Sequence, residues 1–88
     1  MYTYSMANPQ TTLPPGIPDA ERFFKLGMMC STGQSVPLDM VSAHKWFNIA
    51  GALGMKDAVW LRNEIAAQLS SREIAMAQHA ARQWLTRH

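Results

Sequence analysis

Charge is scarce in this sequence: Asp, Glu, Lys and Arg make up 16% of the 88 residues, against about 25% in ordinary soluble domains. Eight Lys and Arg against six Asp and Glu leave a formal net charge of +2. That is too little to make nucleic acid or an anionic membrane the main partner. Cysteine is nearly missing as well. Cys30 stands alone, so an intrachain disulfide and the cysteine-rich sites of structural zinc are both excluded, and a reducing cytoplasm is the expected compartment. No run reaches the roughly 18 apolar residues of a membrane span. Met1 to Gly16 has neither the basic start nor the apolar stretch of a signal peptide. Alternating β-branched runs are absent, which leaves strands without a basis in the sequence.

Hydrophobic residues supply 48% of the chain, a globular proportion. They are unevenly placed. Residues 1 to 18 hold no charged side chain and four of the five prolines, Pro9, Pro14, Pro15 and Pro18, a composition that sustains neither a helix nor a ladder. This stretch reads as a disordered or loosely docked arm, in which Tyr2, Tyr4 and Met6 are candidates for an anchor. Residues 19 to 88 remain as one domain of about 70 residues, near the lower limit for a self-sufficient core.

From Asp19 onward the apolar residues recur at three and four. Ala20, Phe23, Leu26, Gly27 and Cys30 mark the stripe of a first amphipathic helix, capped by Asp19 and ended near Ser31 or Thr32 by Gly33. Asp39 is placed to cap a second helix with Val41 or Ala43, Trp46, Phe47, Ala50 and Leu53 inward, and Gly54 ends it. Ala58, Leu61, Ile65 and Leu69 continue in a third, with Arg62, Asn63 and Gln68 turned to water. Ser70 and Glu73 have the spacing of a capping box, and Ile74, Ala77, Ala81, Trp84 and Leu85 form the stripe of a fourth helix.

Adding 38 to the residue number superposes Ala20 on Ala58, Phe23 on Leu61, Val36 on Ile74, Ala43 on Ala81, Trp46 on Trp84 and Phe47 on Leu85. The second pair of helices echoes the first. An offset near 36 matches Phe24 to Trp60 instead, which leaves the register of the third helix open.

Leu26-Gly27, Met29-Cys30, Gly33, Val36, Asp39, Ala43, Trp46-Phe47, Ala50, Gly54 and Ala58 follow without a gap the spacing of one Sel1-like repeat. The chain resembles that family, a relative of the tetratricopeptide hairpins, and AHKWFNIA looks like its small bacterial members. The resemblance implies an all-α fold: a short α-solenoid of two antiparallel helix hairpins, about four helices in all, one Sel1-like repeat followed by a degenerate capping hairpin over residues 59 to 88. The sequence also departs from the family pattern. Cys30 stands where tyrosine is usual, Ser35 replaces the second loop glycine, and Arg22 fills a small-residue position. Arg62-Asn63 stand where Leu-Gly would begin a new repeat, and Ser70-Ser71 replaces a glycine-rich turn.

Chemistry-bearing residues are few. His44, His79 and His88 lack partners at zinc-ligand spacing, and no ordered nucleophile motif joins Ser, Asp and His. The expectation is a non-enzyme with no catalytic residue, no metal and no cofactor. Cys30 on the apolar stripe reads as a small hydrophobe. Gly27 inside a helix costs about 1 kcal/mol relative to alanine, which close approach to Ala43 or Ala50 would offset. The family resemblance implies a protein- or peptide-binding adaptor whose ligand meets the first helix of each hairpin, at Arg22, Lys25, Met28, Val59 and Asn63. A first helix without a preceding hairpin is also expected to expose an apolar edge around Phe23, Phe24 or Met28, and a weak homodimer or hetero-contact to cover it. The alternative function is a helix-turn-helix-like nucleic-acid binder that turns at Ser70-Ser71 and meets phosphates with Arg72, Arg82, Arg87 and His88.

Overall fold

The computed structural model describes residues 20–87, which form four helices: α1 (Ala20–Thr32), α2 (Met40–Ala52), α3 (Lys56–Ala66) and α4 (Ser71–Arg87). No strand occurs among the described residues, and the fold is all-α, as the periodicities predict. The arm of residues 1 to 18, with Tyr2, Tyr4 and Met6, lies outside the described residues, as do the expected cap Asp19 and His88.

The helix ends follow from local chemistry. Gly33 closes α1 at φ 74°, and its N–H and that of Gln34 both donate to the Met29 carbonyl, at 2.8 and 3.2 Å. Two residues on, Ser35 also takes a left-handed φ of 70°. This is the position at which the Sel1-like pattern has its second loop glycine. A Cβ in this left-handed conformation costs about 1–2 kcal/mol. The Asp39 carboxylate accepts from the Ser42 N–H at 3.0 Å and from the Ser42 hydroxyl at 2.7 Å, capping α2. Those bonds hold the Asp39 carboxyl below its ordinary pKa. Gly54, at φ 107°, turns the chain after α2. The capping box forms as its spacing predicts: the Ser70 N–H donates to Glu73 Oε1 at 2.9 Å and the Glu73 N–H to Ser70 Oγ at 3.1 Å.

Helix α2 is the hub, because α1, α3 and α4 all pack against it. Its Ala43, Phe47, Ile49 and Ala50 are fully buried and share one core with Phe23, Ala58, Ile65 and Ala81. Of the residues paired by the offset of 38, Ala20 and Ala58 are both buried, as are Ala43 and Ala81, whereas Phe23 and Phe47 are buried and their counterparts Leu61 and Leu85 only half-buried. The offset of 36 fails at its defining pair. Phe24 packs its ring 5.6 Å from that of Phe47, whereas Trp60 is 61% exposed.

Gly27 is required, but the partner differs from expectation. A Cβ there would stand 2.6 to 2.9 Å from three atoms of the Phe47 ring, so the glycine admits an aromatic face of α2 rather than Ala43 or Ala50. Phe47 has no exposed surface, so its ring could give way only by shifting within the core.

Candidate functional site

The buried side of α1 is Ala20, Phe23 and Gly27. Turned away from it are Arg22, Lys25 and Met28, all exposed, with Met28 at 39%. They follow one another at intervals of three, so they form a row along one side of the helix. Two cationic side chains and a thioether thus border one surface. Arg22 is itself engaged within the fold.

The two positions expected on the third helix are placed differently. Val59 is half-buried, and its Cγ2 lies 2.7 Å from where a Cβ of Gly51 would stand. Its side chain therefore seals α3 against α2 rather than facing outward. Asn63 is exposed, but its Oδ1 accepts from Arg62 Nε at 3.3 Å and from Arg62 Nη2 at 3.1 Å. Helices α1 and α3 flank α2 and make no extensive contact with each other. The five residues therefore resolve into an exposed row on α1 and a seam on α3.

The apolar edge expected at Phe23 is closed. Phe23 is only 6% exposed; its ring stacks on Trp46 at 5.5 Å and meets Trp84 edge-on at 4.6 Å. A linear stack would leave α1 uncovered on that side, but α4 brings Trp84 back across to it. Phe24 is half-buried against Phe47. Of the three residues expected at the edge, only Met28 is exposed. The Lys45 Nζ lies 3.9 Å above the Trp46 ring, a cation–π contact that finishes the cluster.

Between α2 and α3 lies a polar seam that the sequence reading missed. Arg62, expected in water, is half-buried and donates through Nη1 to Asn48 Oδ1 at 3.2 Å. His44 is 2% exposed, and its Nδ1 has no hydrogen-bond partner. Burial and the nearby Arg62 charge hold the imidazole pKa below its ordinary value, so it is neutral at pH 7. The signal available was helical spacing: His44 precedes Phe47 by three and Asn48 by four, which puts it beside the inward stripe.

Cys30 is half-buried, and desolvation followed by the Asp39 charge raises its thiol pKa. The thiol is thus the resting form, which disfavours nucleophilic attack. Among the described residues no group of three or more His, Cys, Asp and Glu is placed to hold a metal ion, and no helix is long and apolar enough to cross a membrane. Arg72, Arg82 and Arg87 are exposed along α4, and a shallow concavity lies at His79, Arg82, Gln83, Thr86 and Arg87. The Ala77 and Ala81 of that helix are buried, and Trp84 packs on Phe23. Compared with known proteins, the chain matches no family model, no curated protein and no solved structure.

Proposed function

We propose that the chain is a non-catalytic adaptor of Sel1-like type, a short α-solenoid that binds a protein or peptide through the outer side of α1. The observation that carries this reading is the exposed row of Arg22, Lys25 and Met28. Opposite the side committed to the core, it offers the cationic head of Lys25 on a flexible stem and the adaptable thioether of Met28, beside an Arg22 already engaged within the fold, side chains that suit a peptide surface of mixed character. The positive φ of Ser35, a conformation that favours glycine, at the position where the repeat pattern has a glycine, supports the family assignment.

The test is affinity purification from the native cell with wild-type protein and a Lys25→Glu/Met28→Asp double variant, read by mass spectrometry. Both substitutions lie on exposed positions, so the thermal transition should shift by no more than a few degrees. The wild type is expected to recover specific proteins that the double variant loses. Recovery of the same proteins by both would remove α1 as the binding side.

A further inference from the structure

The outer side of α3 is complementary to itself. Lys56, Trp60 and Glu64 are all exposed and lie four residues apart. At about 100° per residue they span an arc of roughly 80°, one stripe along the helix. An indole 61% exposed is a large apolar surface left in water, since tryptophan is highly buried on average. Among the described residues no ion pair, ring contact or hydrogen bond engages the side chains of Lys56, Trp60 or Glu64. Among the described residues the stripe is unused.

Its charge order selects the occupant. Lys56 precedes Trp60 by four residues and Glu64 follows it by four. A two-fold axis through Trp60 lays a second α3 antiparallel on the first and exchanges the two ends. Each Lys56 then meets the Glu64 of the other copy, and the indoles cover each other. A parallel arrangement would set Lys56 against Lys56 and Glu64 against Glu64. Asn63, exposed on the same stripe, adds a polar rim. We propose that the outer side of α3 is a two-fold dimerisation surface for a second copy of this chain, centred on Trp60 and flanked by reciprocal Lys56–Glu64 ion pairs. An isologous contact needs just such a self-complementary patch.

The expected dimer is weak. An eleven-residue helix is about 16 Å long, and one face of it buries less than the roughly 1,000 Å² typical of a stable interface. The central indole carries most of the association. The contact does not depend on the α1 row, so the two proposals fail separately.

Sedimentation velocity of the full chain, from low micromolar to about 1 mM, tests the surface. The wild type should approach a dimer at the upper end. Trp60→Ala should weaken association at least about tenfold. Lys56→Glu and Glu64→Lys should each weaken it by placing like charges together, and the Lys56→Glu/Glu64→Lys double variant should regain it because the pairs re-form with the signs exchanged. All three positions of change are exposed, so circular-dichroism melts should confirm folded protein throughout. A monomer at every concentration, a dimer indifferent to Trp60→Ala, or a double variant as defective as the singles would each overturn the proposal.

Discussion

Helix α2 is flanked by two unlike seams. Towards α1 and α4 the contact is aromatic and dry: Phe47 fills the gap at Gly27, and Phe23 sits between Trp46 and Trp84. Towards α3 the buried side chains Ala58 and Ile65 are joined by polar groups. Val59 rests on Gly51, Arg62 reaches Asn48, and His44 keeps an unpartnered nitrogen. The difference separates strength from sensitivity. Apolar burial scales with area and is indifferent to pH, whereas a buried polar group is worth little net and changes its energy when it titrates.

The sharpest way to break this contrast is Phe47→Ala. Removing a fully buried ring costs about 3–5 kcal/mol, and a domain of this size holds only about 4–10 kcal/mol in total. Thermal denaturation followed at 222 nm should lose most or all of its cooperative transition. A melt within a few degrees of wild type would mean that the aromatic seam does not carry the fold.

Gly27→Ala should cost less, about 1–2 kcal/mol net, because overpacking against the Phe47 ring outweighs the roughly 1 kcal/mol gained in helix propensity. The same change made in a Phe47→Leu background should be neutral or stabilising, since the ring atoms it strikes are gone. Urea denaturation of the four proteins of this cycle measures the coupling. Simple additivity would contradict the close approach.

The polar seam is probed by pH. Burial and Arg62 lower the His44 pKa in the fold, so below about pH 6.5 the unfolded chain takes up a proton that the folded chain does not. The stabilisation is complete above that pH and is lost as pH falls through the window beneath it. One proton sets a limiting slope of about 1.4 kcal/mol per pH unit. Wild-type stability in urea should therefore decline from pH 6.5 to 5, and His44→Leu should flatten the curve. A parallel decline in His44→Leu would assign the effect elsewhere. Asp39, whose carboxyl pKa is lowered by Ser42, contributes its own loss only at lower pH, as its carboxylate protonates.

Much of the fold was legible because it rests on local chemistry. The capping pairs Asp39–Ser42 and Ser70–Glu73 lie three residues apart, and Gly33 and Gly54 stand where helices must stop. Spacing also identified Ala58, Ile65, Ala77 and Ala81 as inward. The α1 row is the complement of the buried stripe, but its choice as a ligand surface came from the family resemblance. Arg62 and His44 were not. Whether a long cationic side chain stretches to water or folds back onto Asn48 depends on a neighbouring helix 14 positions away, and no periodicity records it.

The sequence by itself determined four helices, the caps of α2 and α4, and most of the inward side of each, because these depend on contacts within a few residues of one another. Only the tertiary structure decided what each inward side meets. Phe23 was placed rightly on the stripe of α1, but its exposure hung on Trp84, which stands some sixty residues along the chain and comes back over α1. The competing offset of 36 left the direction of Trp60 open; with Ala58 in the core, Trp60 stands outward. Helical spacing fixes directions about an axis, and only the relative placement of the axes determines which directions end in water.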